Sequence, residues 1–189
     1  SRPVYAAASD NIGRWLVTDG PKLQRSIDNG VTWDEIDAGF GAHDVYAVAS
    51  GGGGVWVAVG NAGKIRRSAD NGQTWVEIDH GMAMLNSTAL RAIATDRAGV
   101  WVITTQSGYL LRSTDNGLTW GAQYYRSAGL YGWLGVATDR SGRWWVVGGN
   151  NITLLSLDNG YSWQTRPTRF SNFSVDRASA VATDRAGTW

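Results

Sequence analysis

The sequence has no cysteine, which excludes a disulfide framework and any thiolate metal site. Lysine is nearly absent as well, occurring only at Lys22 and Lys64, so the cations are almost all arginine. Arginine suits fixed, bidentate or stacked contacts better than lysine does. Glutamate occurs only at Glu35 and Glu77, and histidine only at His43 and His80. With 17 basic and 16 acidic residues the formal charge is +1, so no excess of one sign favours nucleic acid or an anionic surface. No apolar run reaches the length of a membrane span, and no signal peptide opens the chain at Ser1. Membrane insertion is therefore not expected. Sustained helical periodicity is missing too, and proline occurs 3 times in 189 residues.

What is abundant is glycine, at 25 residues, and tryptophan, at 11. That mixture predicts many short strands joined by tight turns, and it is far from a disordered composition.

Most of the tryptophan belongs to an internal repeat, the first thing to look for in such a chain. Ser26-Ile-Asp-Asn-Gly-Val-Thr-Trp33, Ser68-Ala-Asp-Asn-Gly-Gln-Thr-Trp75, Ser113-Thr-Asp-Asn-Gly-Leu-Thr-Trp120 and Ser156-Leu-Asp-Asn-Gly-Tyr-Ser-Trp163 share one pattern. They start at 26, 68, 113 and 156, spacings of 42, 45 and 43 residues. A second series runs between them, with Thr-Asp-Arg followed by a glycine and a tryptophan at 95–101, 138–144 and 183–189. Looser copies occupy 6–15 and 47–56, so nine of the 11 tryptophans are repeat positions and core packing is their expected role.

Each unit divides into four strand-like runs; in the second they are 45–50, 55–60, 64–68 and 74–79. Gly, Asn and Asp turns between short β-rich runs predict antiparallel meanders, and four strands in roughly 40–45 residues match a propeller blade. The Asp-Asn-Gly turn would join the third strand to the fourth. Asp accepts amides of its own turn, Asn and Gly tolerate positive φ, and the Ser and Thr hydroxyls tie down flanking backbone. The tryptophan after it is expected to fold beneath the blade. Full burial of an indole removes roughly 150–250 Å² from water, an upper bound of about 4–6 kcal/mol.

This turn resembles the Asp-box, or BNR repeat, and the resemblance covers nearly the whole chain. The box occurs in sialidases, xyloglucan-cleaving glycosidases, sortilin-type receptors, photosystem II assembly factors and bacteriophage structural proteins. The resemblance implies an all-β propeller of four-stranded antiparallel blades, with Asp28, Trp33, Asp70, Trp75, Asp115, Trp120, Asp158 and Trp163 as structural turn residues. Residues 1–189 are then one propeller, with blades at about 4–38, 45–80, 90–126 and 134–167 and a partial blade at 179–189. Trp189 aligns with Trp15, Trp56, Trp101 and Trp144, which places it one residue into a second strand. That register predicts a piece of a larger ring, or one completed from elsewhere.

In a propeller the loops joining strand two to three, and strand four to the next blade, share the face that carries ligands. Here these are residues 37–44, 80–90, 124–131 and 166–177, with shorter ones at 19–22, 61–64, 106–109 and 149–151. A sialidase needs three convergent Arg, an acid Asp, and a Tyr nucleophile with a supporting Glu. Arg91, Arg126, Arg166, Arg169 and Arg177 lie near that face, but Glu35 and Glu77 fall in outer fourth strands. Other glycosidases need two carboxylates flanking the bond, and neither Asp44 nor Asp176 has a marked partner. His43 and His80 sit in adjacent loops and lack a third metal ligand, so exposed loop histidines are expected, with no metal and no cofactor. The Asp96-Arg97, Asp139-Arg140 and Asp184-Arg185 pairs read as local salt bridges in hairpin turns.

The residues singled out for a ligand or partner are Tyr124, Tyr125, Arg126, Tyr131, Trp133, Arg169, Phe170, His43 and His80. Aromatics beside arginine on a rigid face suit a protein hot spot or a stacked sugar. The leading expectation is a non-catalytic recognition or assembly module, such as a virion or tail-associated protein, in an extracellular or virion setting. Its partner would be a protein or glycan held on the loop face, with multi-copy assembly as one form. The alternative is a piece of a sialidase-like or other glycoside hydrolase propeller. A photosystem assembly factor would call for a basic face, against the near-neutral charge.

Overall fold

The structure, a computed structural model, describes residues 2–125, 132–149, 152–167, 178–184 and 188–189. It contains four separate antiparallel sheets, each a meander of four strands in chain order. The first holds β1 (Ala7–Ser9), β2 (Trp15–Asp19), β3 (Lys22–Ser26) and β4 (Asp34–Ile36). The second holds β5 (Val45–Gly52), β6 (Val55–Gly60), β7 (Ile65–Ser68) and β8 (Val76–Glu77). The third holds β9 (Leu90–Thr95), β10 (Trp101–Thr105), β11 (Tyr109–Ser113) and β12 (Gly121–Tyr124). The fourth holds β13 (Trp133–Thr138), β14 (Trp144–Gly148), β15 (Ile152–Ser156) and β16 (Gln164–Pro167). Among the described residues the one helical element is a 3-10 turn at Ala83–Leu85. These are the blades expected from the repeat. Their first strands stand side by side in the order β1, β5, β9, β13, and the sheets do not close into a ring.

The core lies between sheets rather than within one. β6 is buried along its whole length because both of its faces are covered. Trp56 and Ala58 pack with Leu16 and Leu23 of the first sheet, while Val57 and Val59 pack with Trp101 and Ile103 of the third. A strand buried on both sides reads as a continuous apolar run, which is why 55–59 shows no polar alternation.

The repeated turn is built the same way in every sheet. In the second, Asp70 Oδ1 accepts from the Ser68 hydroxyl at 2.7 Å and from the Thr74 amide at 2.8 Å. Oδ2 accepts from the Thr74 hydroxyl at 2.5 Å. Asp28, Asp115 and Asp158 repeat this cage with Thr32, Thr119 and Ser162. Asn71 (φ 65°) and Gly72 (φ 80°) both take the left-handed conformation the turn requires. The indoles of Trp33, Trp75 and Trp120 donate back to the turn glycine carbonyl at 3.0, 3.0 and 3.2 Å.

Two expectations are corrected. The turn tryptophan is not buried everywhere: Trp120 and Trp163 are, but Trp33 is 41% exposed, and Trp15 on β2 is 36% exposed. Trp120 and Trp163 pack against the sheet before their own, and among the described residues no sheet packs on that side of the first. The Asp96-Arg97 turn likewise reaches beyond its own hairpin. Asp96 Oδ1 accepts the amides of Ala98 and Val100, at 2.7 and 2.9 Å. The guanidinium of Arg97 instead reaches main-chain oxygens of the first sheet, Ser9 at 3.0 Å and Asp10 at 3.3 Å.

An inter-sheet latch also runs through the fold. The third-strand Arg25, Arg67 and Arg112 donate through Nε to the carbonyls of Asn71, Asn116 and Asn159 in the next sheet, at 2.8, 2.9 and 3.0 Å. In the fourth sheet the same position is Leu155. Beyond that sheet, the Ala178 amide donates to Gly148 at 3.1 Å, and Asp184 and Thr188 repeat the turn made by Asp96 and Val100. This is the start of a fifth unit.

Candidate binding face

Opposite the Asp-Asn-Gly turns, three first strands begin with a large polar or aromatic side chain. Tyr5 precedes β1, Tyr46 lies near the start of β5, and Arg91 near the start of β9. Each stands four residues before the Ser or Thr (Ser9, Ser50, Thr95) near the end of its strand run. Because β1, β5 and β9 are neighbours, the three side chains meet. The Tyr5 and Tyr46 rings are edge to face, 5.0 Å apart at 82°, and the Arg91 guanidinium lies 4.8 Å from the centre of the Tyr46 ring.

Their polar atoms are partly committed. Tyr5 donates its hydroxyl to Asp44 Oδ2 at 3.1 Å. Its phenol is held above the ordinary value, first by loss of water around it, then by the Asp44 carboxylate, with Arg91 opposing. Arg91 donates through Nη2 to the Gln106 side-chain oxygen, while its Nε is buried without a partner. Beside this ladder is an open hollow of about 430 Å³, lined by Tyr46, Asn61, Ser87, Thr88, Ala89, Arg91, Gln106 and Ser107. Asn61, Ser87–Ala89 and Gln106–Ser107 come from three of the loops assigned to the ligand face. The described lining carries one guanidinium, hydroxyls and amides, and no carboxylate.

The other candidate residues are distributed differently. Trp133 is fully buried, and its indole donates to the carbonyls of Gly108 and Tyr125 at 3.2 and 3.0 Å. Tyr125 is half-buried against the core between the third and fourth sheets, and its hydroxyl donates to Gln123 at 3.2 Å. Tyr124 ends β12 opposite Tyr109. His43 is exposed. His80 is buried, contrary to expectation, and its Nδ1 accepts the Met82 amide at 3.1 Å. Arg126, Tyr131, Arg169 and Phe170 lie outside the described residues. The two glutamates are paired on fourth strands, Glu35 with Arg2 at 2.9 Å and Glu77 with Arg66 at 2.6 Å.

No protein-family model matches the chain, and no curated protein matches it in sequence. Solved structures match in shape. YCF48 from Cyanidioschyzon merolae superposes with a TM-score of 0.68 at 16% identity, over 96% of this chain and 60% of that one. YCF48 bound to D1 peptide gives 0.56 at 16%, over 87% and 82%. A streptogramin B lyase gives 0.74 at 16%, over 89% and 55%, and an ancestral GH74 enzyme 0.64 at 15%, over 86% and 25%.

The fold is a β-propeller. At these identities the likeness shows architecture alone, and the chain spans 60%, 55% and 25% of three of these four structures. In a propeller the first strands are the innermost, so the Tyr5–Tyr46–Arg91 ladder stands at the axial mouth of the loop face. Arg91 was visible from the sequence as a loop-face cation. Tyr5 and Tyr46 were not singled out, although their shared register with Arg91 was the signal that could have found them.

Proposed function

We propose that the chain is a non-catalytic recognition or assembly propeller that holds a segment of a protein partner on its loop face, at the hollow beside Tyr46 and Arg91. The observation that carries this reading is a guanidinium fixed on an aromatic ring beside a hollow lined with hydroxyls and amides. Such a surface supplies stacking and backbone hydrogen bonds, the two needs of an extended peptide. Glycoside cleavage needs two carboxylates flanking the bond, and the nearby Asp44 accepts from Tyr5. A YCF48 structure holds a D1 peptide, which supports protein binding as a use of this architecture. The same proposal takes residues 1–189 as a single propeller unit of Asp-box blades, part of a larger ring, working in a multi-copy assembly, a virion or tail protein among them.

The test is selection from a displayed library of linear peptides with the full chain, followed by affinity measurement on the Arg91→Ala and Tyr46→Ala variants. Peptides that lose about tenfold or more in affinity, some 1.4 kcal/mol, on either change support the reading. Peptides indifferent to both changes, or hydrolysis of a fluorogenic sialoside or xyloglucan oligosaccharide, would overturn it.

A further inference from the structure

One pair of repeat positions holds a closed ion pair in the first sheet and an open one in the second. Lys22, at the start of β3, pairs with Asp37, just after β4, at 2.5 Å. One repeat further on, the same positions are Lys64 and Asp79. Asp79 accepts the Gly81 amide at 2.8 Å, just as Asp37 accepts that of Gly39 at 2.9 Å. Yet among the described residues neither Lys64 nor Asp79 forms an ion pair. Both instead line a hollow of about 510 Å³ on the loop face. The segment after Asp79 folds over the turn before Lys64. There the Gly63 amide donates to the Thr88 carbonyl at 2.8 Å, and a Cβ on Gly63 would stand 2.4 Å from the Leu85 carbonyl oxygen.

A third group lines the hollow. His80 stands where the first sheet has the buried Ala38, so the turn itself does not call for an imidazole. The ring is 9% exposed, and its Nδ1 accepts the Met82 amide, which places the ring proton on Nε2. That Nε2–H has no partner among the described residues. A largely buried donor left unpaired costs free energy that an acceptor on a ligand would recover. Glu77, the remaining charge in the lining, is already paired with Arg66 at 2.6 Å.

This hollow adjoins the one beside Tyr46 and Arg91. Asn61 and Ser87 line the inner hollow, Lys64 and Asn86 the outer one, so the two meet along the same pair of loops. Resting on the peptide reading above, we propose that the outer hollow takes an acidic residue of the same peptide. Its carboxylate accepts from Lys64 Nζ and His80 Nε2, and a basic residue next to it meets Asp79. A lone anion would face Asp79 as well as Lys64, so an occupant carrying both signs matches the lining.

The chain has two histidines, so each ring can be followed by NMR. Titration with the capped dipeptide acetyl-Glu-Lys-amide at fixed pH should move His80 saturably and leave the exposed His43 unmoved. In Lys64→Gln that movement should be lost. Equal movement of both rings, none at His80, or an unchanged response in Lys64→Gln would overturn the proposal. Peptides selected for dependence on Arg91 and Tyr46 should carry an acidic residue whose amide replacement weakens binding about fivefold or more. That loss should vanish in Lys64→Gln, and the loss from neutralising the basic neighbour should vanish in Asp79→Asn. Selected peptides with no residue that responds to Lys64→Gln leave the inner-hollow reading standing and overturn this one. If no peptide depends on Arg91 or Tyr46, the inner-hollow reading falls, and a His80 response to the dipeptide still upholds the outer hollow as a site.

Discussion

The guanidinium of Arg97 donates to the carbonyl of Ser9 at 3.0 Å, joining the third blade to the first. The two residues are 88 positions apart, and their turns meet on the face of the Asp-Asn-Gly turns. A second bond from the same group, to Asp10 at 3.3 Å, makes this a clamp across the inner edge of the blades. Hydrogen bonds from a charged donor contribute about 1.5–3 kcal/mol. Arg97→Ala should lower stability by about 1–3 kcal/mol in urea unfolding, and amide exchange at β1 should speed up more than at β14.

The latch arginines give a second expectation. Arg67→Leu leaves the Asn116 carbonyl without its Nε donor and should cost about 1–3 kcal/mol by calorimetry. A cost near zero would mean that the apolar contacts alone hold the second and third blades together.

Trp33 and Trp120 occupy the same place in the repeat and make the same bond to a turn glycine, at 3.0 and 3.2 Å. They differ in cover: Trp120 packs with Val57 and Val59 of the preceding blade, whereas Trp33 is 41% exposed. Trp120→Ala should therefore cost about 3–5 kcal/mol and Trp33→Ala about 1 kcal/mol or less. Paired denaturant titrations of the two variants test burial with the local hydrogen bond held constant.

Acid should weaken the turns. The carboxyls of Asp28, Asp70, Asp115 and Asp158 are lowered from the ordinary 3.8 to about 2. For Asp28 and Asp70 the hydroxyls of Thr32 and Thr74 are the largest cause. For Asp115 and Asp158 burial pushes upward first, and the hydroxyls of Thr119 and Ser162 with nearby amides overcome it. A folded value below the unfolded one stabilises the fold above about pH 4, and that gain is lost as pH falls toward about 2. The melting temperature should drop across that window. Asp70→Asn should melt lower than wild type at pH 6 and lose less between pH 4 and pH 2.

Much of the fold was legible because the repeat states it in local terms. The cage around Asp70 uses only residues 68–74, so its chemistry is fully present in the eight-residue motif. The second strand at 55–60 was legible for the same reason, while its burial on both faces came from the neighbouring sheets. The binding face was legible only by its loops. The 430 Å³ hollow lies between residues 61, 88, 91 and 106, which no sequence spacing connects. Trp133 and His80 show the opposite error. Read as loop-face contacts, both are buried: the Trp133 indole donates to Gly108, 25 positions away, and to Tyr125, partners that only the folded loops bring together, while His80 accepts from Met82 within its own turn.

By itself the sequence determined the turns, the four-stranded units and their succession, because each rests on bonds between residues a few positions apart. Tertiary structure alone decided which equivalent residues are buried and which are open. Identical motifs at Trp33 and Trp120 end in different surroundings because cover comes from a neighbouring blade, and burial depends on what lies across the interface. It also decided that Arg97 would clasp a strand 88 residues away, since a long guanidinium takes whichever carbonyls the packed blades bring within its reach.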